Sequence, residues 1–359
     1  MPIIAFYAPM KPPTHPTPSG DRAIARGVLK ALGEDINLVS SLRIYDGKGD
    51  TDVQAGLIAQ AETEAQKLIH QGRIEGWKLW FTYHNYYKSP DLIGPTVSKA
   101  LGIPYILLEA TRAKKRLIGP WAKFAKLAEK ASDHADAILY FTGHDRQALE
   151  AYRHKDQQLI HLPPFLAETQ TALPRRKPED NIILSVGMLR KGAKSKSYAL
   201  IAQTLSMLKT PNWYLNIIGD GPERAKIETL FAPYSERVSF LGQLDKTAIT
   251  KHYAKATALL WPGVDEAFGM VYLEAQAAGL PVVAQDRPGP HDVIAPCAIL
   301  PPVDRIQDLA AEIDRLLNNA NHWQNRSKAG IEHIRQSHLL GTARATLMRV
   351  FTPFTGTSL

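Results

Sequence analysis

Short apolar runs rich in β-branched and aromatic residues recur along the chain, each followed by a turn and then by a stretch whose apolar positions have helical spacing. That rhythm predicts parallel βαβ units. The first series of runs is IIAFYA from Ile3, INLV from Ile36, WKLWFTY from Trp77, PYILLE from Pro104, ADAILYF from Ala135 and QQLIHL from Gln157. Helical patterns lie between them, at 20–33, 52–71 and 120–131. The rhythm breaks at LPPFLAETQTALPRRKPED, 162–180, where four prolines and a charge cluster mark an inter-domain linker. A second series follows: NIILSVG from Asn181, WYLNIIGDG from Trp213, RVSFLG from Arg237, TALLW from Thr257, LPVVA from Leu280 and CAIL from Cys297. From about Asp304 the pattern is helical, with DLAAEIDRLL and then IEHIRQSHLL. The expected organisation is a doubly wound α/β domain over 1–170, a second over 171–335, and a helix over 336–359 that returns to the first domain.

The chain has 359 residues, 45% hydrophobic and 22% charged, which suits two globular domains and excludes a disordered or collagen-like protein. Cys297 is the only cysteine, so neither an intramolecular disulfide nor a multi-cysteine zinc site can form, and a reducing, cytoplasmic setting is expected. The opening MPIIAFYAPMKPPTH lacks the features of a signal peptide, and no run reaches the roughly 20 apolar residues of a membrane span. With 43 Lys and Arg against 35 Asp and Glu, the net charge of +8 favours an anionic partner. Nucleic acid is not expected, because the charge is spread along the chain and no recognition motif accompanies it.

The most informative stretch is DEAFGMVYLEAQAAGLPVVA, 265–284. Glu266 falls in the loop after the strand TALLW, Gly269 begins a helix, Glu274 lies within it, and Gly279 and Pro281 end it. A helix starting at the carboxyl end of a parallel strand offers backbone N–H groups, from about Phe268 to Val271, to an anion. The flanking carboxylates suit sugar or ribose hydroxyls; equally, Glu266 could complement the helix dipole and Glu274 be solvated.

This segment resembles the E-x7-E signature of retaining glycosyltransferases of family 4, through Glu266, Phe268, Gly269, Glu274, Ala275, Gly279, Leu280 and Pro281. SVGMLRKGAKS from Ser185, containing Gly187, resembles the family's first strand and its Arg and Lys loop, here Arg190 and Lys194. Met188 stands where an Arg is common, and the loop length is altered. IIGDGPER from Ile217, with Gly219, resembles the next strand and glycine turn. The resemblance implies the GT-B fold, two Rossmann-like doubly wound parallel-sheet domains facing across a cleft. It also implies hexosyl transfer from a nucleoside-diphosphate sugar, with no cofactor and no metal. In those terms Arg190 and Lys194 stabilise the departing diphosphate. Glu266 holds the donor sugar with the amides of Phe268, Gly269 and Met270, Glu274 holds the ribose, and the base lies near 241–244, at Leu244.

The opening segment through Ser19 and Gly20 resembles the first strand, loop and helix of the same family; these residues could meet a ligand or simply cap the helix. His84 stands where the family often places a His near the donor sugar, although a His at a strand end can be purely structural. Glu109, at the end of PYILLE, is an acceptor-side candidate. Asp50-Thr51-Asp52 spells D-x-D but precedes a helical pattern, so capping accounts for it better than a metal does. Across 113–130, Lys123, Lys126 and Lys130 share one helical side and Trp121, Phe124 and Ala128 another. That pattern reads either as a solvated surface helix or as a peripheral contact with anionic lipid at the inner membrane surface. The expected partners are thus a nucleotide-sugar donor and a carbohydrate or lipid-linked acceptor. A nucleotide-sugar hydrolase or epimerase and a non-catalytic nucleotide-sugar-binding protein are the alternatives.

Overall fold

The computed structural model describes residues 3–15, 19–298 and 300–356. The chain divides into two compact units: unit 1 is Met1–Ala167 with Leu340–Leu359, and unit 2 is Glu168–Leu339.

In unit 1 the order is β1 (Ile4–Tyr7), α1 (Gly20–Leu32), β2 (Ile36–Ser40), α2 (Thr51–Glu75), β3 (Leu79–Asn85), α3 (Gly94–Leu101), β4 (Tyr105–Ala110), α4 (Ala122–His134), β5 (Ala137–Tyr140), α5 (Gly143–Tyr152) and β6 (Gln158–His161). All six strands are parallel, in the order β2-β1-β3-β4-β5-β6. β1, β3 and β5 are buried at every residue, the pattern of strands covered on both faces, whereas the edge strand β6 is only half-buried. Local chemistry sets the helix ends. Ser19 caps α1 by accepting from the Arg22 N–H, and Asp50 caps α2 by accepting from the Asp52 and Val53 N–H groups. Gly76 closes α2 in the left-handed conformation. The D-x-D segment is therefore engaged as a helix cap.

A buried carboxylate fastens β3, β4 and α3. Asp91 accepts from the Thr82 hydroxyl at 2.6 Å, the Tyr105 hydroxyl at 2.8 Å and the backbone N–H groups of Ile93 and Gly94 at 2.9 and 2.8 Å. Burial raises its pKa, and those four donors pull the other way.

In unit 2 the order is β7 (Ile182–Val186), α6 (Ala193–Ser206), β8 (Tyr214–Ile218), α7 (Arg224–Phe231), β9 (Val238–Phe240), α8 (Lys246–Lys255), β10 (Ala258–Leu260), α9 (Met270–Ala277), β11 (Val282–Val283), α10 (Pro288–Val293), α11 (Ile306–Asn318) and α12 (Ala320–Ser337). The five strands form one parallel sheet in the order β11-β10-β7-β8-β9. The run CAIL does not form a strand: Cys297 is exposed in a turn, and Ile299 lies outside the described residues. None of the described residues of this run joins the sheet, whose edge strand is β11.

The last helix, α13 (Leu340–Thr355), packs in unit 1 on α1 and β3, with the Phe351 ring 4.9 Å from Phe81 and the Arg344 guanidinium donating to the Ala31 carbonyl. Residues 336–339, expected in this returning helix, stay in unit 2. α12 ends at Ser337 and the His338 N–H bonds back to the Ile334 carbonyl, a break that no glycine or proline signals.

Replacing Asp91 with Ala strands four buried donors and should destabilise unit 1 by about 3 kcal/mol or more. Asp50→Ala removes only a cap and should cost about 1 kcal/mol. Urea unfolding of the two variants checks the order; equal losses would contradict the assigned roles.

Candidate functional site

In unit 2 the chain leaves β7 for α6 and β8 on one side, and returns through β10 on the other, so β7 and β10 flank the point where the winding reverses. Open α/β sheets bind ligands outside the carboxyl ends of the strands at that point. Both loops there are closely fitted. Gly187 lies against Trp261, where a Cβ would come within 2.7 Å of the indole. Gly219, at φ +141, allows the Gly187 carbonyl to approach to 1.9 Å of where its Cβ would stand. The post-β7 loop is braced on its neighbour by Leu189 N–H to Asp220 O (3.0 Å) and Glu223 N–H to Leu189 O (2.9 Å).

Trp261, fully buried after β10, organises the charged pair. Its indole N–H donates to Glu266 Oε1 at 2.9 Å, and the Lys194 ammonium lies 5.0 Å from its ring centroid while pairing with the same carboxylate. Lys194 belongs to the first turn of α6 and Glu266 to the loop before α9, so the fold joins residues far apart in sequence. Gly269, at φ +79, is the N-cap residue of α9 and makes no side-chain cap. The first helical bond there runs from the Tyr272 N–H to the Gly269 carbonyl. The amides of Gly269, Met270 and Val271 therefore precede the intrahelical ladder. Phe268 is buried beside them.

Glu274 meets a hydroxyl where Glu266 meets a cation. It lies within α9, accepts a hydrogen bond from the Tyr253 hydroxyl at 3.0 Å, and has its pKa raised by burial, with Tyr253 and Lys246 opposing and Glu168 reinforcing. Lys246 pairs with Glu168. Leu244 lies half-buried just before α8.

Arg190 does not join this cluster. Its residue is exposed, and its carbonyl closes the loop by accepting from the Ser195 N–H at 3.2 Å and hydroxyl at 2.8 Å. Met188 is likewise exposed.

Unit 1 has its own cluster at the equivalent reversal, where β1 and β3 adjoin. The β3–β4 register passes from Tyr83↔Leu108 to Asn85↔Ala110, and the skipped residues, His84 and Glu109, both have positive φ, 74° and 60°. Such backbone costs roughly 1–3 kcal/mol per residue and concentrates at functional sites. His84 Nδ1 stands 3.5 Å from Glu109 Oε2 and Nε2 stands 3.6 Å from Asp21 Oδ1 in the first turn of α1. Both gaps exceed a good hydrogen bond, leaving His84 Nε2, Glu109 Oε2 and the Tyr83 hydroxyl buried without a hydrogen-bond partner. Burial pushes the Glu109 carboxyl up to about 7, against the pull of His84 and with help from Asp21 and Asp145. Burial lowers the His84 pKa, but Glu109, Asp21 and Asp145 outweigh it and the net shift is upward. Ser19 Oγ is engaged as the α1 cap, with Gly20 the first residue of that helix.

Among the described residues, no group of three or more His, Cys, Asp or Glu could hold a metal ion. Sequence reasoning did not assign Asp21, Trp261, Tyr253 or Lys246 to a site. A tryptophan and a tyrosine read as core, and only the fold shows their polar atoms meeting carboxylates.

Residues 168–333 match the family model described as Glycosyl transferases group 1. A GDP-mannose-dependent alpha-mannosyltransferase of Mycolicibacterium smegmatis is 39% identical over 83 residues, 23% of this chain and 21% of that protein. The chain spans about a fifth of the length of the first curated relatives it matches. Sucrose-phosphate synthase from Thermosynechococcus elongatus superposes with a TM-score of 0.73 at 17% identity, covering 99% of this chain and 100% of that one. Anabaena HepE, solved with UDP and glucose, gives 0.69 at 13% identity, covering 98% and 100%. The chain thus has the GT-B fold of two parallel-sheet, Rossmann-like units, and nearly all of unit 2 matches the glycosyl transferases group 1 family.

Proposed function

We propose that the protein is a retaining, metal-independent glycosyltransferase that moves a hexosyl group from a nucleoside-diphosphate sugar to a hydroxyl of a glycan or lipid-linked acceptor. The observation that carries this reading is the Lys194–Glu266 pair held on Trp261 at the winding reversal of unit 2, with the amino end of α9 beside it and Glu274 further along that helix. The mannosyltransferase relative depends on GDP-mannose and HepE was solved with UDP and glucose, which supports a nucleoside-diphosphate sugar as donor. Departure of a diphosphate builds negative charge on its β-phosphate. Lys194, paired with a carboxylate against an aromatic face, supplies the cation, and the α9 amides supply donors that need no reorganisation. When Lys194 turns to phosphate, Glu266 is released to accept hydroxyl groups of the donor sugar. Glu274, steadied by Tyr253, accepts from the ribose. Arg190 is a second cation, reaching phosphate from its exposed position.

In the reaction the bond from the anomeric carbon to the diphosphate oxygen breaks, a bond from that carbon to the acceptor oxygen forms on the same face, and the acceptor proton passes to the departing diphosphate. Within unit 1 we assign His84 to sugar binding and Glu109, Ser19 and Gly20 to the acceptor. The orphaned atoms of His84 and Glu109 suit hydroxyl groups, which can both donate and accept. The single cysteine, Cys297, suits the reducing cytoplasm, where we place the enzyme.

A thermal-shift panel of UDP, GDP, ADP and CMP in EDTA tests the donor site. One nucleoside diphosphate should raise the midpoint selectively. No shift with any of them would overturn the reading, and release of free sugar without an acceptor would make the protein a hydrolase. Lys194→Ala should lower kcat by roughly 10²–10³, and an unchanged rate would remove Lys194 from the site. Glu109 supplies a pH test. Because its folded pKa lies above that of an unfolded glutamate, its contribution to stability is complete in acid and is lost as pH rises through about 7. The thermal midpoint should fall from about pH 5 to about pH 8, and Glu109→Gln should flatten that slope. An unaltered slope would show that Glu109 is not the titrating group.

A further inference from the structure

Between β4 and α4 the chain makes a basic 3-10 turn, Lys114–Arg116, followed by Leu117 and Ile118. Ile118 is 80% exposed. Beside the turn is an open cavity of about 450 Å³ lined by Tyr87, Arg112, Lys114, Lys115, Arg116 and Tyr152, among others. Its aromatic faces are covered by cations: Arg116 lies 4.9 Å from the Tyr87 ring centroid, and Lys114 lies 4.7 Å from that of Tyr152. Arg116 and Lys88 also lie over Trp121, at 5.4 and 5.3 Å, tying the turn to the start of α4. Along α4, Lys123, Lys126 and Lys130 are exposed while Phe124, Ala125 and Ala128 are buried.

The charges of this region divide into two sets. Arg112 and Lys114 are neutralised by Glu129, and Arg112 also by Asp133. Among the described residues, Lys88, Lys115, Arg116, Lys123, Lys126 and Lys130 have no acidic partner, and the buried Nε of Arg116 has no hydrogen-bond acceptor. A structural ion network would have matched these cations. Unmatched cations on the turn and along α4, with the exposed Ile118 between them in the chain and the rings of Tyr87, Tyr152 and Trp121 against the cations of the turn, complement an anionic lipid surface: headgroup phosphates meet the cations, the aromatic rings suit the interface and Ile118 enters the acyl boundary. No helix among the described residues is long and apolar enough to cross a membrane.

We infer that the turn Lys114–Arg116, Ile118 and the exposed lysines of α4 form a docking surface for an anionic lipid bilayer. The apolar tip favours a bilayer over a soluble polyanion, which would gain nothing from Ile118. The inference does not rest on the transferase reading, because its readout is binding alone.

The test is co-sedimentation of the full chain with vesicles of phosphatidylcholine alone and of phosphatidylcholine mixed with phosphatidylglycerol, at low and high salt. Binding should require the anionic lipid and weaken with salt. Lys115→Glu should lower partitioning roughly five-fold or more, and Ile118→Ser should lower it at both salt concentrations. Thermal midpoints equal to that of the parent would show that both variants are folded. Equal binding to neutral vesicles, no binding to anionic ones, or binding indifferent to both substitutions would overturn the inference. So would retention on heparin without vesicle binding, which would assign the patch to a soluble polyanion.

Discussion

The contact between Trp261 and Gly187 fixes the chemistry of unit 2. A Cβ at position 187 would collide with the indole, so the loop after β7 can pass only as glycine on its way to α6, whose first turn carries Lys194. The same indole then uses its single N–H on Glu266 and its face on Lys194. One buried side chain thereby holds an ammonium and a carboxylate at a fixed separation, half-shielded from water, where their interaction is stronger than between solvated groups. Gly219 and Gly263 serve the same arrangement, since each admits a neighbouring group that a side chain would exclude. The charged pair is thus a product of packing as much as of charge.

Unit 1 obtains a comparable concentration of charge by bending backbone. His84 and Glu109 leave the β ladder together, one from each of two adjacent parallel strands, and the strands resume pairing one residue later. Such a matched distortion requires firm anchoring on both sides. Asn85 provides it by bonding the Ala128 carbonyl and the Ser132 hydroxyl, and Asp91 does so by gathering four donors from β3, β4 and the start of α3. The buried carboxylate that stabilises the unit and the buried carboxyl that is left unsatisfied lie in neighbouring segments of chain. Asp91 has donors for both its oxygens. The Oε2 of Glu109 is buried with no donor, and this burial, which the pull of His84 at 3.5 Å does not offset, raises the pKa of the carboxyl to about 7.

Periodicity, turn chemistry and spacing were enough for the strands β1 to β11, because each is an apolar run closed by a turn or a capped helix. They also placed Glu266 in the loop before α9, Gly269 at its start and Glu274 within it, since a glycine between a strand and a helix marks where the helix begins. They misread CAIL as a strand and carried the final helix back to 336, because neither error violates a local rule: the run is apolar, and no glycine or proline marks the break at His338. Trp261, Tyr253 and Asp21 escaped for a different reason. Each has an ordinary local role, as core residue or helix-start acid, and becomes part of a site only through a partner that the sheet order brings near.

The sequence by itself determined the parallel α/β architecture, the helix caps and the chemical types present at the carboxyl ends of the strands, because those depend on neighbours within a few positions. Only the tertiary structure decided which of the cations meets Glu266. Lys194 does so because α6 begins beside Trp261, whereas Arg190, four residues earlier, is spent on closing its loop through its carbonyl and leaves its side chain in solvent. Sheet order is a long-range property, and it places residues separated by a hundred positions or by four with equal indifference to their spacing in sequence.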